Sequence, residues 1–390
     1  MITKSNYESM TLGSVATYIN GRAFKPAEWE TTGLPIIRIQ NLTDENAKCN
    51  YSSSEYEDKY KVHTGDLLFA WSASLGAHIW NRGDAWLNQH IFRVIPNDGI
   101  NKMYLYYFLK KVTVDLYMKT HGSGMVHITK GPFMNTRIYV PPLDEQARIV
   151  ARIEELFSEL DNGMQTLQTI KQQLAVYRQA VLKEAFEDCK EWDRYVFSEL
   201  MEDVRNGYGK KPDDKGDYRI LKISAVRSLK LNVCESRFNQ TPFSAEDTIE
   251  ENDILFTRYN GSKDFVGVCA VVPHMDEPCA YPDKIIKCRP KIHNAIFSKY
   301  LAFYMSQGEA RQYIRSKIKT TSGQNGIAGA DIKKITVYLP NAQVQEAIVA
   351  EIESRLSVCD SIEKAVDTAL AQAEAMRQSI LKKAFEGGLV

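Results

Sequence analysis

Apolar residues fall mostly in short runs broken by polar turns, but twice they settle into a sustained spacing of three and four. The first such stretch carries Ile149, Ile153, Leu156, Leu160, Leu167, Ile170, Leu174, Tyr177 and Val181, with Gly163 on the same line. The second carries Ile348, Ile352, Cys359, Ile362, Val366, Ala369, Ala373, Met376 and Ile380, interrupted by Arg355. This spacing predicts two long helices packed along their length. A strand-like run and a proline precede each, "RIYVPP" (137–142) and "TVYLPN" (336–341), which reads as strand, stop, helix. The first seam is bulky where the second is small, Leu174 against Ala373 and Ile170 against Ala369, as complementary partners would be.

The two helical stretches are copies. "RQAVLKEAFE" (178–187) returns as "RQSILKKAFE" (377–386), and "IVARIEELFSELD" (149–161) as "IVAEIESRLSVCD" (348–360), at one constant offset. Between 140–187 and 339–386, 18 of 48 positions are identical without a gap, and the offset of 199 residues between the copies argues against an ordinary helical hairpin. The preceding segments echo more faintly. "LPIIRIQNL" (34–42) resembles "DYRILKISAV" (217–226), and "GDLLFAW" (65–71) resembles "NDILFTR" (252–258). "LNQHIFRVIP" (87–96) matches "YPDKIIKCRP" (281–290), "YLYYFLK" (104–110) matches "YLAFYMS" (300–306), and "HGSGMVHIT" (121–129) sits where the other half has "TSGQNGIAG" (321–329). The short runs predict mixed α/β or mainly β globular domains. The expected order is a globular domain (1–142), a helix (143–190), a second domain (191–340) and a second helix (341–390), an internally duplicated chain with approximate two-fold symmetry.

Composition changes this picture little. With 44% hydrophobic and 25% charged residues the chain is globular in type. No apolar run is long enough to span a membrane and the first residues do not resemble a signal peptide, so a cytoplasmic location is expected. Seven scattered cysteines fit a reducing compartment.

Net charge is zero, but it is segregated. Residues 102–137 hold six basic side chains against Asp115 alone, and residues 311–334 hold six against Asp331 alone, while both helices are acidic. Basic patches beside Gly-, Ser- and Thr-rich loops suit phosphate contacts, with Arg, Asn, Gln and His available to read base edges. A solvated charged face is the plainer explanation, weakened by recurrence at matching places. Helices of this length would be rods of roughly 65 Å, enough to set two half-sites one to two duplex turns apart.

No phosphate-binding loop, nucleophile elbow or His-Glu-x-x-His helix is present. "GYGKKPDD" (207–214) reads as a basic turn, and "PDDKGDYRILK" is only faintly like a nuclease spacing. Cys269, His274, Cys279, Cys288 and His293 are too loosely spaced for a usual zinc site. Buried cysteines acting as small hydrophobes are the better reading, and Cys288 matches Val94.

"PPLDEQARIV" (141–150), "LNQHIFRVIP", "RQAVLKEAFE" and "RQSILKKAFEGGLV" (377–390), in this order and duplicated, resemble the specificity subunits of type I restriction-modification systems over essentially the whole chain. "PNAQVQEAIV" (340–349) departs from the usual helix entry but keeps Gln345, Ile348 and Val349. The resemblance implies an α+β fold: two target-recognition domains separated by two long antiparallel coiled-coil-like helices. It further implies that each domain reads half of a bipartite double-stranded DNA site, and that two adenine-methyltransferase subunits dock on the helices, with restriction subunits joining them. This chain would be non-catalytic and bind no cofactor, S-adenosylmethionine, ATP and Mg²⁺ belonging to the partners.

The candidate DNA-contacting residues in the first domain are Arg38, Gln40, Asn41, Asn88, Gln89, His90, Ser123, His127, Thr129 and Lys130. In the second they are Lys222, Arg227, Arg258, Tyr259, Asn260, Lys263, Lys284, Lys319, Thr321, Ser322, Gln324 and Asn325. Two other readings remain: a stand-alone DNA-binding regulator, and an adaptor whose basic patches bind an acidic protein or RNA.

Overall fold

The structure, a computed structural model, describes residues 7–44, 46–119, 130–213, 215–321 and 323–389. The apolar runs "LLFA" (Leu67–Ala70) and "ILFT" (Ile254–Thr257) become strands buried on both faces. Such strands need cover on each side. Leu67 and Phe69 join a core with Leu105, Phe108 and Ile153, while Leu68 joins Ile37, Leu87 and Ile91 on the other side. Ile254 and Phe256 likewise join one core and Leu255 another.

The chain divides into two units, residues 1–168 with 367–390, and residues 169–366. In the first, Ala16–Asn20, Ile91–Pro96, Leu67–Ala70 and Gly76–Ile79 form an antiparallel sheet in that order. In the second, Met201–Asn206, Ile285–Pro290, Ile254–Thr257 and Cys269–Val271 repeat it. Each unit adds a second four-stranded sheet containing one parallel pairing, Leu34–Ile37 with Ala85–Leu87 and Tyr218–Leu221 with Cys279–Ala280. Registers also correspond, for Leu67 faces Val94 and Ile254 faces Cys288. Cys269, Cys279 and Cys288 are buried, and burial pushes the Cys269 and Cys279 thiols up to about 11. His274 pairs with Glu251, and among the described residues no His, Cys, Asp and Glu group is placed to hold a metal ion.

Leu143–Ala185 and Ala342–Glu386 are each one continuous helix. Among the described residues no helix is long and apolar enough to cross a membrane. At each helix entry a glutamine ties down the preceding proline: the Gln146 and Gln345 side chains donate to the Pro141 and Pro340 carbonyls, both at 2.8 Å.

The buried line along the helices follows the apolar seam read from the sequence except at a few positions. Tyr177, Ile362 and Met376 are 44, 41 and 54% exposed, and Gly163 is exposed too. Elsewhere the seam holds, with Ile149, Ile153, Leu174, Val181, Ile352, Cys359, Val366 and Ile380 buried, and only at those three apolar positions do the adjacent, partly buried Arg178, Glu363 and Arg377 take the inward place. Arg178 pairs with Asp360 at 2.7 Å and Glu363 at 2.9 Å, and Arg377 pairs with Asp161 over the Phe157 ring. Arg178 with Asp360 and Arg377 with Asp161 are repeat equivalents, so one contact is made twice. A polar residue at such a position fixes register at some cost in stability. Arg178→Glu is expected to destabilise the second unit by roughly 1–2 kcal/mol, read from its denaturant midpoint. Adding Asp360→Lys should recover part of that loss; no recovery would mean that the pair has no energetic role.

Each helix ends on the globular part of the opposite repeat. Phe385 packs edge-on against Tyr104 and Phe108, with centroids 5.1 and 5.2 Å away. Phe186 does the same to Tyr300 and Tyr304 at 5.5 and 5.3 Å. The supporting tyrosines are held alike, Tyr104 donating to the Tyr139 carbonyl at 2.7 Å and Tyr300 to that of Tyr338 at 2.6 Å.

Candidate nucleic-acid interface

In each unit one loop stitches several others together. In the first, the Arg22 N–H donates to the Leu87 carbonyl (3.0 Å), Gln89 to Arg22 (2.8 Å), Asn88 to Ile37 (3.3 Å) and Trp71 to His90 (3.1 Å). In the second, Tyr208 donates to Tyr281 (2.8 Å), Asp283 to Tyr208 (2.9 Å) and Arg258 to Lys284 (2.8 Å). The backbones come so close that a β-carbon on Gly21 would collide with the Asn88 carbonyl, and one on Gly207 with that of Tyr281. "NGRAFKP" (20–26) and "NGYGKKP" (206–212) are therefore counterparts, a repeat the sequence reading missed.

This framework sets out the same loop positions twice with different side chains. Arg38, Trp71 and His90 in the first unit stand where Lys222, Arg258 and Lys284 stand in the second. The Arg38 guanidinium lies 5.4 Å over the Trp29 ring. Asn41 is buried and builds the loop, accepting from the Arg38 N–H at 3.0 Å and donating to the Ala47 carbonyl at 3.1 Å. Gln40 donates to the Lys48 carbonyl. Gln89 is exposed, whereas Asn88 Oδ1 and His90 Nδ1 are buried with no hydrogen-bond partner among the described residues. His90 has left-handed backbone (φ 73°) and lies against Trp71, ring centroids 4.9 Å apart. Lys130 is exposed and lines a cavity with Asn20, Trp71, Phe92 and Phe133. Trp71 was not singled out in the sequence; its signal is alignment with Arg258. Ser123, His127, Thr129 and Ser322 lie outside the described residues.

In the second unit most candidates converge. Tyr259–Asn260, Gln324–Gly326 and Lys319–Thr321 form a three-stranded patch directly after Arg258. The Arg258 guanidinium lies 4.7 Å over the Tyr259 ring and donates to the Asp283 carbonyl at 3.3 Å. Asn325 is largely committed to the patch, donating to the Gly261 carbonyl and accepting from the Thr320 hydroxyl, both at 2.8 Å. Lys263 opens a short turn after this patch. Lys222 pairs with Glu235 at 3.6 Å and, with Lys284, lines a cleft. Arg227 lies on a separate hairpin, stacked over Phe265 at 4.7 Å. Cations and amides held by loops on a rigid sheet frame suit phosphate contact and base-edge reading.

A profile of the type I restriction modification DNA specificity domain matches residues 4–172 and again 190–372. The chain belongs to this family. It is 34% identical over 419 residues to the EcoKI specificity subunit of Escherichia coli (strain K12), an alignment covering 97% of this chain and 88% of that relative. The fold is shared with a chain from a structure of complex assembly and conformational transition of the type I R-M system, with TM-score 0.74, 17% identity and full coverage of both chains. It is also shared with the HsdS subunit from Thermoanaerobacter tengcongensis, with TM-score 0.54, 18% identity, and coverage of 100% of this chain and 99% of that one. The chain is thus a DNA specificity subunit of a type I restriction-modification system, and the two family matches fall on its two repeats.

Proposed function

We propose that each globular domain reads one half of a bipartite duplex site, and that the two continuous helices set the gap between the halves. The observation that carries this is the duplicated loop framework. One backbone arrangement presents Arg38, Trp71 and His90 in one copy and Lys222, Arg258 and Lys284 in the other. Equal scaffolds with unequal side chains suit two different half-sites. The chain acts without catalytic residues of its own and binds no cofactor. Two adenine-methyltransferase subunits dock on the helices, with restriction subunits joining them. S-adenosylmethionine serves the methylating partners, and ATP and Mg²⁺ the restriction partners.

Arg258 is the first residue to test. A guanidinium reading a base edge contributes about 1–3 kcal/mol of discrimination. Arg258→Ala is expected to relax base preference in one half-site by roughly ten- to hundredfold and leave the other intact, as read from the methylated sites in a genome carrying the variant. Equal loss in both halves counts against the assignment.

A further inference from the structure

The second unit contains a cationic cleft whose forward wall looked like an ordinary basic turn in the sequence. Gly209–Pro212, Leu221–Ser224 and Pro282–Lys284 form its walls, and Arg237 joins them from the strand Ser236–Asn239. Lys210, Lys211, Lys222, Arg237 and Lys284 line it against one acid, Asp283. Among the described residues only Lys222 of these cations has an ion-pair partner, Glu235. Lys210, Lys211 and Arg237 are exposed, and Lys284 is partly so. Like charges gathered from three separate loops repel one another, so their convergence is stabilised when an anion sits among them. The cleft adjoins the proposed base reader, since the Arg258 N–H donates to the Lys284 carbonyl.

The counterpart surface of the first unit is different. Phe24 stands at the Lys210 position and packs edge-on against Tyr56, while His90 stands at the Lys284 position. Arg22 is already paired with Glu28 at 2.6 Å. Lys25 and Arg38 keep cations at the Lys211 and Lys222 positions, so the first frame has fewer cations than the second and carries the rings of Phe24 and His90 where the second has Lys210 and Lys284.

We propose that Lys210, Lys211, Arg237 and Lys284 form a backbone-phosphate clamp, so that the second unit carries most of the salt-dependent, sequence-independent affinity for duplex DNA. Lysines act here as point charges on phosphate, which hold register without reading sequence. The proposal rests on the DNA-recognition reading above.

The test uses the full-length chain and a labelled random-sequence duplex of about four helical turns, titrated by fluorescence anisotropy across a KCl series. Each phosphate contact contributes about 0.9 to the slope of log affinity against log salt. Combining Lys210→Gln, Lys211→Gln and Arg237→Gln should lower that slope by about 2–3 and weaken low-salt binding by roughly ten- to hundredfold. In the first unit, Lys25→Gln, at the position equivalent to Lys211, should change both far less than Lys211→Gln alone. Lys210→Glu alone provides a second readout should the triple variant melt below the parent chain. If the parent binds with a steep salt slope and neither clamp variant alters it, the clamp is wrong while DNA recognition stands. Equal losses from Lys25→Gln and Lys211→Gln overturn the asymmetry. A parent chain without salt-dependent duplex binding overturns the clamp and the DNA-recognition reading together.

Discussion

Phe385→Ala is expected to loosen the first globular domain, although residue 385 belongs to the far end of the second helix. The ring is buried and wedged edge-on between Tyr104 and Phe108. Removing a buried phenylalanine costs about 3–5 kcal/mol, from lost transfer energy and the cavity left behind. Amide exchange in the helix Lys102–Lys119 should therefore accelerate by two to three orders of magnitude or more, each about 1.4 kcal/mol being tenfold. Exchange in Ala295–Ser306 should not change. Phe186→Ala should give the reverse pattern, because Phe186 packs on Tyr300 and Tyr304. If each substitution instead loosened the domain preceding its own helix, the crossed docking of the helix ends would be wrong.

Asp253→Ala should be the most damaging change near the candidate reader. Asp253 is fully buried. It accepts from Arg289 Nε at 2.8 Å and Nη2 at 2.9 Å, and from the Glu250 N–H at 2.8 Å. Those hydrogen bonds raise the affinity of the Arg289 guanidinium for its proton. Asn252, at φ 70°, completes the turn that starts the strand Ile254–Thr257, which runs straight into Arg258. Removing one partner of a buried pair costs about 3–5 kcal/mol when the other charge is left uncompensated. Arg289 keeps Glu250 at 2.9 Å, so the lower end of that range is expected. For a unit of this size that lowers the melting temperature by roughly 6–12 °C. Asp253→Asn keeps the shape and part of the hydrogen bonding, and should fall between the parent and Asp253→Ala. Identical melting of Asp253→Ala and the parent would contradict this account of the turn.

The duplicated order of strands and helices was legible because apolar runs and a gapless helix repeat survive in local sequence. Asp253 and Arg289 were not, since nothing adjacent in the chain marks a carboxylate that folding will bury against an arginine. The helix seam was legible along most of its length and failed at three apolar positions for a related reason. Tyr177, Ile362 and Met376 are apolar and fit the spacing, but there the adjacent Arg178, Glu363 and Arg377 turn inward and make ion pairs instead. Gly21 and Gly207 carry no local signature either, because their need for hydrogen arises from a carbonyl brought in by a distant loop. At the candidate interface, segments following strands pointed to Arg38, Arg258 and Lys284. Asn41 and Asn325 fit the same residue types, yet their amides are largely spent building loops. Lys210, Lys211 and Arg237 become a group only once three loops close on one another.

The central claim is that this chain chooses the DNA sequence on which its partners act. A genome-wide map of methylated adenine, made in the host with the gene intact and with it deleted, tests that most directly. The account predicts that deletion erases one split motif with a constant gap and leaves all other methylation in place. An unchanged map, in cells where the chain is expressed and bound to a methyltransferase, would contradict it.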